Sequence, residues 1–223
     1  MMVAKNGNKI SGGQKLNMID YLEQLNRKER YFLVGLALGI PTFKLDEPFL
    51  TKLNNGFHVN IPENAFVAMD YHLNWIYAAA ELAFGKAVHD QIYNNDNSVI
   101  DGTQEDVDLL VAYEDTSSVT QLIMLEAKGV TSYSNEQFKH KIDRFEKMFG
   151  DNGDKFKQVK PWFGLVSPRK SRNLCVDCCP SWLKVDGEIP WFQMEIPERL
   201  VLFGCDEHGK SNSERKYWTV KNE

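Results

Sequence analysis

Asp108 is followed, after seventeen intervening residues, by Glu126-Ala127-Lys128, so that two carboxylates and an ammonium stand at a spacing suited to metal-assisted hydrolysis of a phosphodiester. Asp106 to Tyr113 is rich in β-forming residues, Glu114 to Ser118 reads as a turn, and Val119 to Ala127 rises again in β character. The two segments are therefore expected to form a β-hairpin. Side chains alternate faces along a strand, so Glu126 and Lys128 project from one side while Leu125 and Ala127 project from the other. Asp108 can face them from the neighbouring strand. Gathering two carboxylates and an ammonium is costly as packing, but it suits a divalent cation with an attacking water beside it. Asp108 and Glu126 would ligate Mg2+ or Mn2+. Lys128 would orient or deprotonate the water, or stabilise charge developing on the phosphorane. The plain alternative is a solvated face carrying a surface ion pair of small energetic weight.

An Asp followed by Glu-x-Lys on adjacent strands resembles the PD-(D/E)XK nuclease superfamily, at Asp108, Glu126 and Lys128. The resemblance covers roughly Ala65 to Val166. It implies a restriction-endonuclease-like fold, an α/β mixed sheet flanked by helices, with DNA as the expected partner and Mg2+ or Mn2+ as cofactor. It also implies a further acid on a preceding helix and a Gln shortly after the Lys, for which Glu81 and Gln137 are the candidates. Two departures stand out: Val107 precedes Asp108 in place of a proline, and no tyrosine follows Gln137 by four. Gln137 has a second reading, since Ser134-Asn-Glu-Gln137 has the pattern of a capping box at a helix start.

The elements around the hairpin are expected to be a helix from about Gly13 to Leu25 and another from Arg27 to Leu38, forming an N-terminal helical cap. Thr42 to Asn60 reads as irregular, with a short strand at Phe57 to Ile61. Pro62-Glu-Asn64 reads as the start of a long helix reaching Phe84, with Gly85 as its stop. Phe66, Met69, Leu73, Ile76, Ala80 and Phe84 would line the core, while Asp70, Tyr77 and Glu81 would share another face. Trp162 to Ser167 and Arg199 to Gly204 read as a third and a fourth strand, with Tyr217 to Val220 at an edge.

At 223 residues, 43% of them hydrophobic, the chain suits one domain that buries roughly 70% of its unfolded surface. Residues 1–60 would form a helical and irregular region, 61–170 the nuclease-like core, and 171–223 the C-terminal strands and a Cys-rich loop. Met1 to Lys9 has no apolar signal-like core, and the apolar run Phe32 to Ile40 is too short to span a bilayer, so a cytoplasmic protein is expected. The charge is unevenly placed. Residues 128–172 hold eleven Lys or Arg against five Asp or Glu, whereas residues 1–127 hold nine against seventeen. On the helix after the hairpin, Phe138, Ile142 and Phe145 form an apolar stripe, leaving Lys139, Lys141, Arg144 and Lys147 for a solvated face that phosphates could follow. Arg169, Lys170 and Arg172, in a loop after Pro168, are further DNA-contact candidates.

Cys175 and Cys178, with Cys205 and His208, give a C-x2-C and a C-x2-H whose donors suit a tetrahedral structural Zn2+. Cysteines are also among the most buried residue types, so packing alone is the competing account. No phosphate-binding glycine loop, nucleophile elbow or H-E-x-x-H is present in the sequence, which removes ground from nucleotide-dependent and triad chemistry. The expected function is a metal-dependent DNA endonuclease, with a homodimer as one arrangement for cutting both strands. Two alternatives remain: a non-catalytic nucleic-acid- or protein-binding module of the same fold, zinc-stabilised in one version, and a structural partner that uses the acidic first half as a surface.

Overall fold

Strand pairing, more than helical amphipathicity, organises this chain. The computed structural model describes residues 16–25, 29–102, 105–129, 133–171, 173–177, 179–214 and 216–222. Its elements run α1 (Met18–Leu25), α2 (Glu29–Leu38), α3 (Glu47–Phe57), β1 (Phe66–His72), α4 (Leu73–Phe84), β2 (Asp106–Glu114), β3 (Thr120–Ala127), α5 (Asn135–Phe149), β4 (Val159–Ser167), β5 (Trp191–Gln193), β6 (Leu200–Cys205) and β7 (Tyr217–Asn222). The first five strands form one mixed sheet in the order β1-β2-β3-β4-β5, while β6 and β7 pair as a separate hairpin. β1, β2 and β3 are antiparallel neighbours, whereas β4 and β5 continue the sheet in parallel. A parallel neighbour requires a crossover, and α5 supplies it between β3 and β4.

Alternation gives the sheet two apolar faces. Ala68, Leu110, Ala112, Leu122 and Met124 pack with α1, α4 and α5, whereas Val67, Val111, Tyr113, Ile123 and Leu125 pack with α3 and Phe192 of β5. Sheets covered on both faces carry long apolar runs, and β3 is buried continuously from Thr120 to Leu125. The alternation slips at one rung. Asp70 takes a left-handed backbone (φ 45°), and beyond it Tyr71 joins the helix-covered face, as does Val107 on β2. The Tyr71 hydroxyl is buried there and donates to the Leu22 carbonyl at 2.8 Å, tying α1 to the sheet.

Three expectations are corrected by this architecture. The long helix from Pro62 to Phe84 is a strand followed by a helix, because Phe66–His72 gains a full ladder with β2 and its apolar residues fit the pleat. The irregular segment after Thr42 contains α3, opened by Asp46 and Glu47-Pro48, and Phe57 closes this helix instead of starting a strand. A Cβ added at Gly56 would collide with the Phe192 ring, so this helix-weakening residue stands where α3 meets β5. Third, Arg199 to Gly204 and Tyr217 to Val220 are extended as expected but belong to the separate hairpin, and the three-residue β5 takes the outer place in the main sheet. Within the described residues the N-terminal helix begins at Met18. No helix among the described residues is long and apolar enough to cross a membrane.

β4 also approaches the α3 side closely at Gly164, where an added Cβ would lie 2.9 Å from both Phe192 and Phe57 and 3.0 Å from Leu125. Gly164→Val is expected to lower unfolding free energy by about 1–3 kcal/mol through overpacking. Urea denaturation followed by far-UV circular dichroism would read the loss as a lower midpoint at unchanged slope.

Candidate active site

The β2–β3 ladder places the two carboxylates. The paired rungs of β2 and β3 end at Leu109 opposite Leu125, and Asp108 and Glu126 are the next residues beyond that rung on the two strands. At this fork the Asp108 side chain takes part in the bonding, its Oδ2 accepting the Ala127 amide at 2.6 Å. Like charges directly across a strand pair repel. Asp108 is accordingly held above the ordinary aspartate range, first by burial and then by the Glu126 charge, against the pull of the Ala127 amide, Lys141 and Lys128.

Glu126 carries two cations, one on each oxygen. Lys128 Nζ lies 3.3 Å from Oε1, and Lys141 Nζ, from α5, binds Oε2. The Lys141 ammonium is anchored a second time by donating to the Asp106 carbonyl at 2.8 Å. Tyr133 holds the end of β3 in place, its hydroxyl lying 3.0 Å from the Glu126 carbonyl and 2.9 Å from that of Val166. Burial pushes the Tyr133 phenol up to about 12, so it stays protonated and able to donate.

These groups line a cleft of about 660 Å3 between the β2–β3 fork and the start of α5. Among the described residues, five acidic ones line it, Glu105, Asp106, Asp108, Glu126 and Glu136, against Lys128 and Lys141, with His140 beside them. Glu105 is also held above the ordinary glutamate range, chiefly by burial, with Lys141 and Arg144 opposing. The wall behind it is tied by Arg144, which donates to Asp101 at 2.9 Å and to the Asn74 side-chain oxygen on α4.

The structure sorts the expected site residues into three groups. Asp108, Glu126, Lys128 and Gln137 all line the cleft, and the backbone N–H of Gln137 also donates to the Ser134 hydroxyl at 3.5 Å, the N-cap half of a capping box at the start of α5. Glu81 is not among the cleft residues: its carboxylate accepts from Tyr77 at 2.8 Å and pairs with Lys155 at 3.2 Å. The face it was expected to share with Asp70 is absent because Asp70 lies on β1, where it accepts from the Tyr31 hydroxyl.

The basic residues expected to track phosphates divide in the same way. Lys141 and Arg144 are buried in ion pairs, because the flank of α5 that carries them meets Glu126 and the Asp106 carbonyl at Lys141, and Asp101 and Glu105 at Arg144. Lys139 stays exposed in an i,i+4 pair with Asp143, Arg169 is exposed, and Lys170 pairs with Glu188 at 2.7 Å. Arg172 lies outside the described residues.

Of the expected zinc donors, Cys205 is buried in the β6–β7 hairpin, His208 is exposed in its turn and Cys175 is exposed, while Cys178 lies outside the described residues. Among the described residues no group of three or more His, Cys, Asp and Glu side chains is arranged to hold a metal ion. Glu105, Asp106, Tyr133, His140 and the inward role of Lys141 were not assigned from sequence. The signals present were the acidic run Glu105-Asp-Val-Asp108 and the four-residue spacings that place Gln137 with Lys141 and Glu136 with His140 on α5.

Comparison with family models, curated proteins and solved structures finds no match to this chain.

Because the Asp108 carboxyl is raised in the folded protein, its charge weakens the metal-free fold above the folded pKa and costs nothing once pH falls below the unfolded value. Asp108→Asn, which keeps an acceptor for the Ala127 amide, is expected to raise the melting temperature in chelator at pH 7. That gain should fade as pH approaches the ordinary aspartate range, and a gain independent of pH would contradict the charge account.

Proposed function

We propose that the chain is a metal-dependent nuclease of the PD-(D/E)XK kind that hydrolyses DNA phosphodiester bonds at Asp108, Glu126 and Lys128. One observation carries the reading: Asp108 and Glu126, each just beyond the last paired rung of β2 and β3, line one cleft together with Lys128, which lies 3.3 Å from Glu126. The α5 crossover that brings Gln137 to the cleft and the mixed sheet beneath it support the restriction-endonuclease-like form of the fold.

The donor chemistry fits the implied cation. Mg2+ keeps several waters and takes one or two carboxylates beside the substrate's phosphate, and Asp108 and Glu126 offer two such carboxylates on one cleft. Bound there, Mg2+ or Mn2+ would supply Lewis-acid polarisation of the phosphate and a lowered pKa for an attacking water. The protein's own groups do the rest. Asp108 and Glu126 hold the hard-ion position, with Asp108 fixed by the Ala127 amide. Lys128, 3.3 Å from Glu126, presents an ammonium that can orient the water or meet charge on the phosphorane. Gln137 and Tyr133 border the space the scissile group would enter. An excess of acidic residues over lysines along the cleft would repel a polynucleotide from the unloaded site, so the reading requires DNA engagement here to depend on a divalent ion.

Purified wild-type protein with Mg2+ or Mn2+ is expected to cut mixed DNA substrates, with Asp108→Ala and Lys128→Ala each slower by at least about 100-fold. Calorimetry is expected to show Mn2+ binding lost in Asp108→Ala and retained in Lys128→Ala. Cleavage by wild type no faster than by Asp108→Ala would overturn the proposal.

A further inference from the structure

We infer that Lys141 is the resident counter-cation of Glu126 and competes with the divalent ion for that carboxylate, so that loading the site is coupled to weakening the Lys141–Glu126 pair; the inference rests on the cation site proposed above.

Lys141 is 8% exposed, within a helix whose neighbouring charged residues are mostly solvated. A buried ammonium is strongly disfavoured unless it is paired and its remaining protons are satisfied. Here one proton goes to the Asp106 carbonyl and another to Glu126 Oε2. The pair cannot be a loose surface contact, because the lysine stem is enclosed while its head reaches the cleft.

Glu126 in turn uses Oε2 for Lys141 and has Oε1 nearer Lys128, at 3.3 Å. Its negative charge is therefore answered from within the protein before any ion arrives. Asp108, on the neighbouring strand, accepts the Ala127 backbone amide at 2.6 Å. A divalent ion at this fork meets the Asp108 carboxylate directly, whereas at Glu126 it must share or replace the Lys141 charge. Lys141 is thus a positioning residue: it fixes the Glu126 carboxylate in the unloaded protein and sets how strongly the fork attracts a cation.

Lys141→Met keeps an apolar stem of similar length and removes the charge. In chelator, K141M is expected to melt below wild type because Glu126 is left without its cation, and E126Q/K141M is expected to recover most of that loss. Mn2+, titrated by calorimetry and by the loss of its free-ion paramagnetic resonance signal, is expected to bind K141M at least about fivefold more tightly than wild type, since a like charge next to the ion has gone. Mn2+ should also raise the melting temperature of K141M more than that of wild type. The titration is repeated on K141Q so that it does not depend on one variant folding. Unchanged or weaker Mn2+ binding in both lysine variants overturns the inference, as does a double variant no more stable than K141M, which would make Lys141 an anchor for the Asp106 carbonyl. Mn2+ binding absent from wild type and variants alike, with the E126Q recovery intact, overturns the proposed cation site and with it the competition.

Discussion

The register between β2 and β3 is the constraint on which the site depends. A slip by one residue would send every β3 side chain to the opposite face, putting Leu125 where Glu126 now stands and burying the carboxylate against α3. The apolar residues that fix the register are the uninterrupted run from Leu122 to Leu125, packed on both faces. The positions that do chemistry are held by residues that do none. Beyond the last paired rung the Asp108 side chain accepts the Ala127 amide, so its carboxylate stands in for a ladder carbonyl on the strand that carries Glu126.

Charge is distributed through the fold in a way that net charge conceals. Acidic residues ahead of Lys128 and the basic flank of α5 meet inside the molecule: Arg144 binds Asp101 and lies 3.7 Å from Glu105, while Lys141 binds Glu126. Much of the basic excess after Lys128 is thereby spent internally on the acidic excess before it. Pairs this enclosed are screened far less by salt than the exposed Lys139–Asp143 pair on the same helix.

The hairpin carrying Asp108 and Glu-x-Lys was legible in the sequence because alternation, turn composition and β propensity agree there. β1 was not, since Phe66, Met69 and Leu73 fall at spacings that fit a helix as well as a strand followed by a helix start, and only the partner strand decides between them. α3 was obscured by Asn54-Asn-Gly56, whose glycine is needed by the Phe192 ring, a contact more than a hundred residues distant in sequence. Periodicity along α5 correctly found Phe138, Ile142 and Phe145 as the apolar stripe. It could not show that the adjoining flank also packs, because nothing local to α5 announces the acidic loop that covers Lys141 and Arg144. Glu81 lies outside the cleft residues for a related reason: with Phe66–His72 as a strand, α4 begins at Leu73, and Glu81 on it meets Tyr77 and Lys155.

Both margins of the main sheet are blunted. On β1 the left-handed Asp70 interrupts the strand at mid-length, and its carboxylate is tied to Tyr31 of α2. On the other margin β5 is only three residues long, and Lys52 of α3 donates to the Gln193 carbonyl at 2.9 Å, occupying an acceptor that an incoming strand would use. Interrupted strands, short strands and lysines are the means by which sheets avoid recruiting further chains. The five-stranded sheet is therefore a poor template for edge-to-edge growth, which protects a strongly apolar β3 from propagating cross-β aggregates.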